Sequence, residues 1–137
     1  MTTTQSNPPP PGFYPAATLE RAERAARCAP FCQPLYETMR WEGVALMAVV
    51  GSAGTQNQYT RRTLSEFAVE RELLWLIQVG MLRREVDGQG LTDSFRLTPL
   101  GRQLLDRWQR RPVLAATWGD RLLNWLAQWR HRLSWLK

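Results

Sequence analysis

The sequence predicts a mainly α-helical fold with a small β-hairpin, preceded by an N-terminal helix and followed by a long amphipathic C-terminal helix. Three observations predict it. Val69, Leu73 and Leu76 recur at helical spacing and lead to Gly80, which suits a helix C-cap. Directly afterwards residues 81–86 alternate as a strand, residues 87–93 supply turn chemistry around Gly88 and Gly90, and residues 94–97 return as a second strand. Beyond Pro112, the residues Trp118, Leu122, Trp125, Leu126, Trp129, Leu133 and Leu136 fall on one helical arc.

Length and composition set the bounds on this reading. The chain has 137 residues, 44% of them hydrophobic and 22% charged, with seven Trp, which suits one folded domain with appendages. Its net charge is +6, and 17 of the 18 basic residues are Arg. Residues 111–137 carry +4 of that excess, so the C-terminal segment points to an acidic partner surface, whether nucleic acid, anionic lipid or protein. Without a secretory signal or an apolar run long enough to span a bilayer, the expectation is a cytoplasmic protein.

The elements follow from local chemistry. Residues 1–15 hold five prolines among polar residues and predict a disordered leader. The string from Thr18 to Cys28 is rich in alanine and straight-chain residues and predicts a short N-terminal helix within residues 16–30, which Pro30 ends. Residues 34–50 predict a second helix, with Pro34 in its first turn and Gly43 able to split it. The segment 51–58, GSAGTQNQ, reads as a connecting loop, and it lacks the GK[ST] ending of a phosphate-cradling loop. The helix over 65–79 is apolar nearly all round at residues 73–77, so Leu74 or Trp75 needs cover from elsewhere. Thr98 and Pro99 then open a helix as N-cap and first residue, running to Pro112.

Cys28 and Cys32, with Pro30 between them, have neither the CxxC redox spacing nor the partners of a zinc site, and read as buried structural thiols. No metal or cofactor is implied. His131 is the only histidine, and the acids stand mostly beside arginines, as in Glu20-Arg21, Glu23-Arg24 and Arg84-Glu85. No catalytic constellation emerges, and the expectation is a protein that is not an enzyme and has no small-molecule substrate.

Helix, GMLRRE, a glycine-containing turn and FRLTPLGRQLL in succession resemble the recognition helix, wing and closing helix of winged helix-turn-helix proteins of the MarR and PadR type. The resemblance covers residues 35–110 and is most specific over 73–105. It implies a winged-helix domain over 31–110 that binds duplex DNA, with the helix in the major groove and the wing on the backbone or in the minor groove. It then places Tyr59, Thr60, Arg61, Arg62 and Ser65 at the helix entrance and Arg83, Arg84 and Arg96 on the wing, where guanidinium groups neutralise phosphates. The same helix bears Glu66, Glu70 and Glu72 against Arg71, which weighs against a phosphate partner, and the positioning helix either spans residues 44–52 or is remodelled.

Three destinations bury the C-terminal stripe over 113–137. It can pack over Leu74 and Trp75, pair with a symmetry mate to make a homodimer, or lie in an anionic membrane interface. Two function classes remain. One is a DNA-binding transcriptional regulator. The other is a winged-helix adaptor that binds a protein or a membrane surface and no nucleic acid.

Overall fold

The computed structural model describes residues 14–110 and 118–135. In chain order the elements are α1 (Ala16–Cys28), α2 (Gln33–Trp41), β1 (Val44–Ala45), a 3-10 turn (Leu46–Ala48), α3 (Gly51–Gln56), α4 (Glu66–Gln78), β2 (Leu82–Asp87), β3 (Gly90–Leu97), α5 (Pro99–Arg110) and α6 (Trp118–Trp135). The strands make one antiparallel sheet in the order β1-β3-β2. A mainly helical body with this small sheet is compatible with a winged-helix-like layout.

Small side chains let the helices meet. Ala22, Ala25 and Ala26 give α1 a buried, nearly smooth face, and α4, α5 and α6 all pack against α1. The core continues through Leu35, Tyr36 and Met39 of α2, Val69, Leu73 and Leu76 of α4, and Leu104, Leu105 and Trp108 of α5. Phe95 and Leu97 close it from β3, paired across the strand with Arg84 and Leu82. The expected leader falls largely outside the described residues. At its end Tyr14 packs against the core, and Pro15 takes the N-cap place of α1, so the helix begins before Thr18.

The helix expected over 34–50 stops at Trp41. Val44 and Ala45 pair instead with Phe95 and Ser94, and a residue with a side chain at 43 would stand 1.7 Å from the Glu85 carboxylate. The chain leaves the helix at Glu42, which is extended, and passes Gly43 beside the Glu85 and Ser94 side chains into the pairing with β3. The segment expected to be a loop contains α3. Its helical turn is held by tertiary partners rather than by propensity: Gly51 N–H donates to Leu64 O at 2.8 Å, and the Asn57 side chain donates to Ala48 O at 3.0 Å. The element before α4 is thus 51–56 rather than 44–52.

The first hairpin strand is shifted by one residue from the expected 81–86, and the second begins four residues earlier than expected, with a tip at Gly88 and Gln89, where Gln89 N–H donates to the Asp87 carboxylate at 2.7 Å. Both ends of the hairpin are fixed by glycine. Gly80, at φ +88°, reverses the chain after α4, and Met81 N–H donates to Leu76 O at 2.9 Å. Thr98 caps α5 by accepting from Gly101 N–H at 3.0 Å, and its hydroxyl also meets the carbonyls of Gly80 and Met81. A Cβ at Gly101 would lie 2.4 Å from Met81 O, so only glycine lets α5 cross the start of β2 this closely.

Gly101→Ala is expected to cost about 1–3 kcal/mol through forced separation of α5 from the hairpin. Urea unfolding of the full chain measures it, and an unchanged midpoint would show that the crossing is not tight.

Candidate functional site

The loop before α4 is built by a strand-like pairing with the α1–α2 connection. Phe31 and Thr60 form an antiparallel bridge, and Cys32 N–H donates to Tyr59 O at 2.8 Å. This pairing turns two of the expected DNA-facing residues inward: Thr60 is 4% exposed and Tyr59 packs against the core. The Ser65 hydroxyl caps α4 by accepting from Ala68 N–H at 3.1 Å. Arg61 and Arg62 are exposed, as are Thr63 and Ser65.

The hairpin arginines are largely engaged within the fold. Arg96 lies 3.7 Å from the Glu85 carboxylate and donates to Trp41 O at 3.0 Å. Arg84 lies over the Phe95 ring at 5.1 Å. Arg83 is exposed, opposite Arg96 in the register. The outer end of the hairpin is apolar, with Val86 and Leu91 paired and exposed.

Arg61 and Arg62 do not join these hairpin side chains in one concavity. They line a cleft of about 680 Å³ with Arg27 and Arg121, whose floor and walls include Cys28, Phe31, Cys32, Tyr36 and Trp108. None of the lining residues is acidic. Arg27 is held in place by Asp120 at 3.1 Å and, more loosely, by Glu23 at 3.9 Å. The N-terminus of α2 reaches the cleft through Cys32 and Gln33, without a side-chain cap and without an acid in its first turn.

Both cysteines are free and half-exposed on this cleft, not buried as the sequence had implied. Burial, reinforced by Asp120, pushes the Cys28 thiol up, which keeps it from being a ready thiolate. Burial also pushes the Tyr36 phenol far up, with Glu72 and Cys32 adding to the shift, so its O–H remains a donor. Tyr36 and Trp108 meet edge to face, with ring centroids 6.0 Å apart.

The second surface is α6. Its polar residues face inward: Asp120 holds Arg27, Asn124 accepts from Trp75 Nε1 at 2.9 Å, and His131 lies 6.0 Å from the Trp75 ring. Trp75 is thereby covered, whereas Leu74 is 45% exposed. The apolar arc points the other way, with Leu122, Trp125, Trp129 and Leu133 exposed and Leu126 half-buried. Trp125 and Trp129 stack at 6.2 Å and 11°. The side chain of Trp118, which opens the helix, lies outside the described residues, as does segment 113–117 of the expected helix.

No cluster of three or more metal-ligating side chains occurs among the described residues, and no described helix is long and apolar enough to cross a membrane. Sequence reasoning did not find Arg27, Arg121, Tyr36 or Trp108 as surface-forming partners. Their spacing carries no signal, because the cleft exists only where the α1–α2 connection meets α6.

The architecture defines a small α+β protein with two presented surfaces. The chain belongs to the Npun_F0494-like family, which it matches over residues 13–128, from just before α1 into α6. No curated protein and no solved structure matches it.

Of the α4 acids, Glu66 and Glu70 are exposed and Glu72 is turned inward, where burial raises its carboxyl above the ordinary value of 4.5 against the pull of Arg71 and Arg132. A carboxyl with a raised folded pKa favours the folded chain while protonated, and that contribution is lost as pH climbs from the unfolded value through the folded one. Glu72→Gln is therefore expected to gain stability relative to the parent as pH rises above 4.5 and to be the more stable chain at neutral pH. Urea titrations across that range check it, and a constant difference between the two would refute it.

Proposed function

We propose that this protein is a non-catalytic, winged-helix-type docking module that attaches to an anionic membrane surface through the outer face of α6. The observation that carries this reading is the inverted seating of that helix, polar side in and apolar side out. Leu122 and Trp125 are each 57% exposed, Trp129 49% and Leu133 39%. Fully burying such a side chain is worth about 1.5–3 kcal/mol, so the half still in water leaves roughly 1 kcal/mol per residue for a partner.

Charge selects the partner. Arg121, Arg130 and Arg132 are exposed along α6, and its acid, Asp120, is engaged inward with Arg27. A symmetric pairing of two such helices would set arginines near arginines with no acid of α6 between them. An anionic bilayer answers Arg130 and Arg132, which flank the ridge, at about 1 kcal/mol each near the surface, whereas Arg121 lines the cleft. A single projecting helix also offers a ridge rather than a groove, and a lipid interface can deform around a ridge.

DNA binding is the second reading, and the exposure of Arg61 and Arg62 just before α4 favours it. Against it stand the exposed Glu66 and Glu70, the exposed Phe67, and the engagement of Arg84 and Arg96 within the hairpin.

Flotation with phosphatidylserine-containing phosphatidylcholine vesicles is expected to carry the full chain upward, with weaker binding at high salt. Trp125→Ala with Trp129→Ala should lower partitioning by about tenfold or more. A chain that stays unbound at low salt overturns the membrane reading. Sedimentation of that chain would then show whether a second copy covers the ridge. For the DNA reading, binding to random duplex should weaken steeply with salt, and each of Arg61→Ala and Arg62→Ala should flatten the slope by about one unit.

A further inference from the structure

The cleft between the α1–α2 connection, the loop before α4 and α6 has a second role that does not rest on the α6 ridge. Four arginines line it with no acid among the lining residues. Arg27 is fixed by its ion pairs, whereas Arg61, Arg62 and Arg121 are exposed and make no ion pair or hydrogen bond with the described residues. The N-terminus of α2, which has no side-chain cap, adds the positive end of a helix dipole.

Two buried donors complete the chemistry. Tyr36 is 2% exposed and Trp108 7%, both line the cleft, and neither the Tyr36 hydroxyl nor Trp108 Nε1 has a hydrogen-bond partner. Buried polar atoms are usually paired, so two orphans beside one arginine-lined space point to a missing acceptor. Their rings and Phe31 supply an apolar wall. A volume of about 680 Å³ is that of a small-molecule site.

We propose that this cleft binds a phosphate monoester carried on a small apolar or planar body. A monoester presents three terminal oxygens and up to two negative charges, which several guanidinium forks converging from different elements can share. The body then lies against Phe31, Tyr36 and Trp108. A carboxylate offers only two oxygens and one charge, and a neutral ring offers nothing to the arginines. The phosphate can come from a soluble ester or from the headgroup of a lipid held beside α6, since Arg121 lines the cleft and its neighbour Leu122 is on the ridge.

Calorimetric titration of the full chain with phenyl phosphate, benzoate and phenol tests the proposal. Phenyl phosphate is expected to bind saturably with a Kd of about 1 mM or tighter, roughly tenfold more tightly than benzoate, with no binding of phenol. Arg61→Ala with Arg62→Ala, both exposed and outside the core, should weaken phenyl phosphate about tenfold or more. Tyr36→Phe, which keeps the packing, should weaken it about three- to tenfold. Failure of phenyl phosphate to saturate, equal binding of benzoate, or indifference to both variants overturns the site.

Vesicles identify the source. If phosphatidic acid outcompetes phosphatidylserine at equal charge and the preference vanishes in the double arginine variant, the ester is a lipid headgroup. Equal vesicle binding alongside phenyl phosphate binding makes it soluble. Duplex DNA that binds through Arg61 and Arg62 while phenyl phosphate does not would overturn the small-ligand site. The double tryptophan variant separates the two surfaces, because it should lose vesicles and keep phenyl phosphate.

Discussion

The buried indole N–H of Trp75 is the constraint on which the arrangement of this protein turns. Trp75 sits on α4 at 8% exposure. Leaving such a donor without an acceptor costs about 1–3 kcal/mol. Asn124 supplies the acceptor at 2.9 Å, and Asp120 and His131 lie on the same helical face one turn before and two turns after it. Meeting that donor and the Arg27 guanidinium commits the polar face of α6 to the interior.

Everything distinctive about the surface follows from that commitment. Once the polar side is used, the apolar arc has no place on its own domain and stands outward. The same rotation sends Arg121 into the cleft and Leu122 onto the ridge. One helix therefore forms part of both surfaces, and Asp120, on its inward face, anchors Arg27 as a fixed wall of the cleft. The stacking of Trp125 on Trp129 gives the ridge a preset shape, which lowers the ordering cost of any partner it meets.

The hairpin shows the opposite use of charge. Glu85 accepts from the Ser94 hydroxyl at 2.8 Å, lies 3.7 Å from Arg96 and crowds Gly43, so it ties the sheet to the end of α2. Arg84 spends its length against Phe95. These arginines contribute packing and internal pairing, as long cationic side chains often do when their stems cover apolar surface. A cluster of arginines in a sequence thus has two fates, and only the neighbours of each residue decide between them.

Elements whose causes are local can be read from the order of residues. The stripe of Val69, Leu73 and Leu76, the Gly80 reversal, the hairpin and the Thr98-Pro99 start of α5 were all legible, because spacing, a positive φ and a cap each act within a few residues. The amphipathic character of α6 was legible for the same reason. Tertiary structure alone decided that residues 44–45 are a strand, since their partner β3 lies some fifty residues away, and that GSAGTQ is helical, since Leu64 O and Ala48 O hold it. It also decided which face of α6 turns inward. Hydrophobic periodicity says that two faces differ, whereas the choice between them depends on a particular buried donor and cation on other helices, and no spacing rule carries that information.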